Sequence, residues 1–380
     1  MSDHWGLYIH VPFCARKCPY CDFFSITDLS VKEDFVKALL RELTLRSDPD
    51  QTIDTVYFGG GTPSLLGPGK IEQILQQIDD CFHLKNHCEI TMEVNPGTIS
   101  HDFFPDIKGI GVNRLSMGVQ SFDDAKLGFL DRIHRSGDAE NALVKARQAG
   151  FDNLGIDLMY GLPGETEQGL RTDLDAGLRF SPAHLSCYML TYEPETVMQA
   201  RVDRGEILPL GEKPAADLFT ATSHHLEKKG FLHYEISNFA RGRDRRSRHN
   251  GKYWTMAPYL GFGPSAHSFD RDRRFWNHRD VTRYTADLEE GKLPVMEVET
   301  LSQKQKMAEI VMLGLRTSRG VDAKLFEAVS GQNFFHRFTP MLKDLVHRGQ
   351  GSIRDHRFVL TLKGMLYLDS IVARFAGEIL

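Results

Sequence analysis

Three observations predict an α/β fold, a partial (β/α)6 barrel followed by a C-terminal, mostly helical winged-helix-like domain. Six strand-like apolar runs recur, at 6–11, 53–58, 89–94, 113–119, 153–159 and 184–190. Between most of them lie helical periodicities such as Phe35, Ala38, Leu39 and Leu43, or Ile71, Ile74, Leu75 and Ile78, or Ala142, Val144, Ala146 and Ala149. Polar residues then fall at the C-terminal ends of the runs. Alternation of strand and helix means parallel strands joined by crossover helices. Six units are too few for a closed eight-unit barrel but suit an open one, whose reactive groups belong at the C-terminal strand ends.

Taken in order, the first strand leads into Cys14, Cys18 and Cys21, and the second into Gly59-Gly60-Gly61-Thr62-Pro63. The third ends on Glu93, the fourth on Gln120, and the fifth carries Asp157. Residues 1–200 are therefore expected to form the barrel. From about 200 the rhythm breaks into a helix near 214–229, an arginine-rich turn and the glycine-rich run Tyr259-Leu260-Gly261-Phe262-Gly263-Pro264, so 201–296 read as a connecting layer. Residues 297–380 read as helices at 303–316, 322–329 and 335–348, a hairpin around Asp355 and a final helix from Leu362. In that last part Met312, Leu315, Leu342, Leu345, Leu360 and Leu366 suit packing against the barrel.

Composition narrows the class. A hydrophobic fraction of 41% and a charged fraction of 26% are those of a globular chain with a sizeable core. No run of 18 apolar residues occurs, and no signal-peptide pattern precedes Pro12, so the expectation is cytoplasmic. A net charge of -5 gives no general pull toward nucleic acid or anionic membrane, and the mixed charges of the C-terminal part give no reason to expect nucleic acid there. Six cysteines, three of them within 14–21, point to a metal or redox site in a reducing compartment.

Cys14-Ala-Arg-Lys-Cys18-Pro-Tyr-Cys21 has the spacing C-x3-C-x2-C, which supplies three thiolates to a 4Fe-4S cubane and leaves the fourth iron open to an exchangeable ligand. Zinc would call for a fourth Cys or His at matching spacing. The second pair, Cys81 and Cys88 with His83 and His87, has unusual zinc spacing, and Cys81 falls on an apolar helix face, the place of a core cysteine. The loop Gly59–Gly61 lets backbone approach a ligand closely. It is neither a P-loop nor a dinucleotide fingerprint.

C-x3-C-x2-C with Tyr20 before the third cysteine, followed by GGGTP, resembles the radical S-adenosylmethionine (SAM) superfamily. The resemblance implies that SAM chelates the open iron through its amino and carboxylate groups and is cleaved by one electron to methionine and a 5'-deoxyadenosyl radical. Tyr8-Ile-His-Val-Pro-Phe-Cys14, Leu115-Ser-Met-Gly-Val-Gln-Ser121, Asp131-Arg132-Ile-His134 and Asp157-Leu-Met-Tyr-Gly-Leu-Pro163 are similar to the oxygen-independent coproporphyrinogen III oxidase branch over nearly the whole chain. Carried over motif by motif, the family's SAM contacts become Tyr8, Gly60, Gly61, Thr62, Glu93, Gln120, Arg132 and Asp157, with Tyr20 as an aromatic neighbour. The residue types agree: Glu93 accepts hydrogen bonds from the amino group or ribose, Arg132 pairs with the carboxylate, and Gln120 and Asp157 suit ribose hydroxyls.

The chain departs from the oxidases in its short segment before the cysteines and in Cys21-Asp22-Phe23 where they carry CxxCxC. His249-Asn250-Gly251-Lys252-Tyr253-Trp254 instead resembles the HNxxYW motif of the HemW heme chaperones. That likeness implies heme as a third cofactor, acceptor hemoproteins (membrane-bound respiratory proteins among them) and an electron donor as partners, and it leaves homodimerisation and catalysis open. His249 is the heme-ligand candidate, with His10, His134 and His267 as alternatives. Arg241, Arg243, Arg245, Arg246 and Arg248 could meet propionates, although such a run in an acidic chain is ordinarily a solvated loop. The competing function is radical oxidative decarboxylation of coproporphyrinogen propionates.

Overall fold

The structure, a computed structural model, describes residues 4–380. Six parallel strands lie side by side in chain order: β1 (Trp5–Val11), β2 (Asp48–Gly60), β3 (Phe82–Val94), β4 (Arg114–Gln120), β5 (Leu154–Tyr160) and β6 (His184–Met189). Crossovers run through helices Lys32–Leu45, Pro68–Cys81, Phe103–Gly109, Ser136–Gln148 and Glu167–Leu178. The second of these shows why such segments are helical. Pro68 stands in its first turn, where a missing N–H costs nothing, and Ile71, Ile74, Leu75, Ile78 and Cys81 recur on one buried face.

The strands are sorted by side. Leu7, Ile9, Val11, Val56, Phe58, Met92, Leu115, Met117, Ile156 and Leu185 alternate onto the face under the helices, where they are buried in one core. The residues between them are polar: His10, Thr55, Glu89, Thr91, Arg114, Ser116, His184 and Ser186 are buried as well. Parallel sheets covered on both faces usually carry continuous apolar runs. Here one face lines a polar interior, so the period-2 alternation survives and makes the six strands readable from sequence.

Residues 201–296 add strands to both edges of this sheet. Beyond β6 lie β7 (Leu232–Glu235) and β8 (Asn238–Ala240) in the order β6-β8-β7. On the other side β9 (Tyr259–Phe262) pairs in parallel with β1, followed by β10 (His267–Phe269), β11 (Arg273–Asn277) and β12 (Val295–Thr300), giving a twelve-stranded open sheet. The glycine-rich run read as a connection is thus a strand. Gly261 is there because a Cβ would collide with the His267 carbonyl, and Gly263, at φ +97, because one would collide with that of His10.

The C-terminal part has its own core. Phe326, Phe334, Phe338 and Phe375 pack ring on ring, with centroids 5.0 to 6.1 Å apart. A three-stranded antiparallel sheet, β13 (Val321–Asp322), β14 (Gly351–Arg354) and β15 (Arg357–Leu360), completes the winged-helix-like unit, and Asp355 and His356 turn its hairpin with φ of 46° and 59°. The expected 335–348 helix is split into Phe334–Arg337 and Thr339–His347 at the fully buried Phe338. Leu315, Leu342, Leu345 and Leu360 pack into this core rather than onto the barrel, while Met312 and Leu366 remain 38% exposed.

The N-terminal end of the polar interior is plugged by the helix Arg248–Trp254. Lys252 Nζ lies 2.5 Å from Asp54 Oδ1 and donates to the His4 carbonyl at 2.9 Å. Its stem runs across Gly6, where a Cβ would stand 2.7 Å from Lys252 Cδ. The backbone N–H groups of Arg248 and His249 both donate to Glu89 Oε1, at 2.9 and 3.3 Å. Since Lys252 is nearly fully buried, Asp54→Ala leaves a buried ammonium without its counter-ion and should cost about 3 kcal/mol in urea unfolding, whereas the double change Asp54→Leu/Lys252→Leu should recover much of that loss.

Candidate functional site

At the opposite, C-terminal end of the strands, a loop leaves β1 and is pinched shut by a parallel bridge between Phe13 and Ile26, with Cys14 N–H donating to the Ile26 carbonyl at 2.9 Å and Ile26 N–H to that of Pro12 at 2.7 Å. Inside the pinch sit Cys14, Cys18 and Cys21, all half-buried free thiols. A turn holds the last two, Cys21 N–H donating to the Cys18 carbonyl at 3.1 Å. Thr62 Oγ1 donates to Cys14 Sγ at 3.6 Å and Arg132 to Cys18 Sγ at 3.5 Å. Burial raises the Cys21 pKa, and the neighbouring Cys18 and Cys14 raise it further. A thiol whose ionisation is opposed by burial and by neighbouring thiols is matched to a positively charged guest. Among the described residues no three His, Cys, Asp or Glu side chains converge on a point fit for a single metal ion. A cluster with one thiol for each of three irons does not require such convergence. Cys81 and Cys88 are buried core cysteines, with the amide of Gln77 3.2 Å from Cys81 Sγ and with His83 and His87 exposed.

The residues expected around the cluster's open side line the interior beside this loop. A Cβ on Gly60, whose φ is +109°, would lie 2.7 Å from the His10 ring, and one on Gly61 would lie 2.6 Å from the Phe13 carbonyl oxygen, so this turn admits only glycine. Glu93 accepts from Tyr57 Oη at 2.8 Å. Burial pushes its carboxyl up to about 7, with Asp157 adding to the rise and hydrogen bonds from Tyr57 and the Gly60 N–H opposing it. Asp157 is bridged by Ser116 Oγ at 3.0 and 3.1 Å, and burial likewise raises its pKa. Gln120 ends β4 at a register break with φ of 67°. Arg132 donates to the Gly118 carbonyl at 2.9 Å and reaches Tyr20 and Cys18, while its buried Nε has no partner. Tyr20 packs against Leu130, Met159, Leu162 and Leu190. Tyr8 shares a hydrogen bond of 3.2 Å with His10. Three thiols without a fourth, a glycine cradle, an unpartnered guanidinium N–H and carboxylates held by the hydroxyls of Tyr57 and Ser116 fit an iron–sulfur cluster carrying a zwitterionic, ribose-bearing ligand.

His249 lies elsewhere. It sits in the plug, at the far end of the interior, where Nδ1 shares a hydrogen bond with Thr55 Oγ1 and Nε2 one with Tyr253 Oη, both at 2.9 Å. Its ring packs on Tyr57 at 5.2 Å. Burial, then the charges of Lys252 and Arg114, push its pKa down to about 3. Both nitrogens of this candidate heme ligand are thus engaged and its ring is buried. His10 is likewise engaged at both nitrogens, by Tyr8 and the Phe24 carbonyl. His134 is buried against the Val119 carbonyl, and His267 stacks on Trp276. Sequence reasoning missed Arg114, a fully buried cation among Glu89, Tyr57, Tyr234 and Asp157, and it missed Tyr57. The signal was there in both cases, as a polar residue on the inward register of a strand.

Comparison with known proteins follows the same lines. The Radical SAM superfamily model matches residues 8–176 and the HemN C-terminal domain model residues 301–367. The chain is 32% identical to the heme chaperone HemW of Bacillus subtilis, over 98% of this chain and 99% of that protein, and 34% identical to the heme chaperone HemW of Mycobacterium tuberculosis, over 98% and 95%. The solved structure of coproporphyrinogen III oxidase (HemN) from Escherichia coli superposes with a TM-score of 0.84 at 24% identity, covering 98% of this chain and 90% of that one, a likeness of fold.

His249→Ala should lower stability by about 2–4 kcal/mol, through a lost buried ring and two stranded partners. Because the folded pKa lies below the ordinary value of 6.5, the stability this residue contributes is complete above that pH and is lost as pH falls toward 3. The variant's urea unfolding should show a shallower decline over that acidic range.

Proposed function

The chain belongs to the HemW heme chaperone family of the radical SAM superfamily, and on that premise we propose that it binds heme, a 4Fe-4S cluster and SAM and hands the heme to acceptor hemoproteins. The observation that carries this reading is identity of about a third over essentially the full length of heme chaperones from two bacteria. Cys14, Cys18 and Cys21 would hold the cluster, and Tyr8, Tyr20, Gly60, Gly61, Thr62, Glu93, Gln120, Arg132 and Asp157 would surround SAM. When bound, the cluster with SAM on its open iron supplies one-electron chemistry and so calls for an electron donor. The chain's own part is binding and orientation. The glycine turn brings backbone N–H and carbonyl groups to the ligand, Arg132 neutralises its carboxylate, and Glu93 accepts from its amino group. The acceptors would include membrane-bound respiratory hemoproteins, met from the aqueous side, since no described helix is long and apolar enough to cross a membrane.

Anaerobic reconstitution followed by a heme titration tests the reading: saturable binding by absorbance is expected, together with transfer to an apo-hemoprotein. Absence of heme binding, with protoporphyrinogen formed from coproporphyrinogen, SAM and a reductant, would replace it with the oxidase reading. A second expectation concerns Glu93. Its carboxyl titrates near 7, and SAM's N–H donors and sulfonium charge favour the ionised form, so SAM affinity in the reconstituted protein should rise between pH 6 and 8. In Glu93→Gln the affinity should be roughly tenfold weaker and its rise with pH less steep, the remaining slope coming from the amino group of SAM itself, as equilibrium binding would show.

A further inference from the structure

The plug helix has two faces. His249, Lys252 and Tyr253 point into the barrel, while Gly251, Trp254 and Thr255 line a cleft of about 410 Å³ between this helix and the C-terminal unit. That is within the range of small-molecule sites. The cleft's floor is apolar, with Met256, Ile310 and Leu325, and its charged lining is three arginines against one aspartate. Arg357 is taken by Asp322. Arg246 and Arg319 have no acidic partner among the described residues, and they stand close enough that the charge of Arg319 helps, after burial and Arg243, to lower the pKa of Arg246. Unmet donors gather here too: the indole N–H of Trp254 and Nε of Arg246 are buried without a partner. The Trp254 ring is held in place by Arg316, 5.2 Å from its centroid, and Tyr234 by Arg246 at 5.3 Å. An apolar floor, a fixed aromatic wall and two unpaired guanidinium groups suit a flat, largely apolar dianion.

We propose that this cleft seats the edge of a tetrapyrrole, with Arg246 and Arg319 receiving its two carboxylates and Trp254 facing the ring. The inference rests on the heme-binding reading above and assigns it a place away from both the cysteine loop and His249. A site of this size covers one edge of a macrocycle and leaves the remainder accessible to an acceptor protein, as a donor of cargo needs.

The test pairs two ligands with three proteins. Heme and heme dimethyl ester, whose carboxylates are blocked, are titrated in dilute detergent into the full-length reconstituted protein, into Arg246→Ala/Arg319→Ala, and into Lys228→Ala/Lys343→Ala, which removes as much charge from exposed positions elsewhere. The unaltered protein and the lysine variant should prefer heme over the ester by roughly tenfold or more, and the arginine variant should lose that preference. Retention of the full preference by the arginine variant would overturn the assignment and leave the heme reading standing. Failure of the unaltered protein to bind either ligand would remove the heme reading, and this site with it.

Discussion

A barrel of six strands whose inner face is polar cannot be closed by oily packing, and the ion pair between Lys252 and Asp54 is the contact on which its lower end depends. The pair brings the Arg248–Trp254 helix across β1 and β2, and Glu89, receiving two backbone N–H groups from that helix, fixes it against β3. Burying an ammonium and a carboxylate together is costly unless geometry and further hydrogen bonds offset the desolvation. Here the His4 carbonyl and the exclusion of a side chain at Gly6 provide those conditions. Once the plug is seated, water is kept from the lower interior, and the Tyr8–Tyr57–His249 ring cluster and the buried Arg114 are held in low-dielectric surroundings.

That enclosure sets the electrostatics of the upper end. Glu93, near the end of β3, and Asp157, in the middle of β5, are buried with little water, so their carboxyls resist ionisation, and the partners that oppose this are neutral hydroxyls and a backbone N–H as well as the Arg114 and Arg132 guanidinium groups. Neighbouring thiols bias Cys21 the same way. Carboxyls and a thiol held short of full negative charge gain from a nearby cation, and the Nε of Arg132 is buried without a partner beside them.

The plug also joins the two regions. Arg114 feels the charges of Asp157 and Glu89 in the interior and lies beside Tyr234, whose hydroxyl meets His184 at 2.8 Å and whose ring lines the cleft. One short helix therefore presents its HNxxYW residues to two environments: the histidine and tyrosine to the barrel, the tryptophan to the C-terminal unit.

Much of this was legible in the sequence because it is local. Strand alternation is a period-2 signal within each run, three cysteines in eight residues declare their own chemistry, and glycines at 59–61 announce a close backbone approach wherever they are placed. The positions Glu93, Gln120 and Asp157 could be assigned to one face because parallel strands put all their C-terminal ends on the same side. What the chain did not reveal locally was decided by contacts across long stretches of sequence. That Tyr259–Phe262 is a strand depends on β1, more than two hundred residues earlier, and on carbonyls that only glycine tolerates. Whether His249 faces an open ligand site or Thr55 and Tyr253 depends on how a seven-residue helix is rotated, which its own composition leaves open and the Asp54–Lys252 pair determines. The arginine run looked solvated because sequence shows charge but not which guanidinium lacks a carboxylate. Only the folded chain sets Arg246 beside Arg319 over an apolar floor.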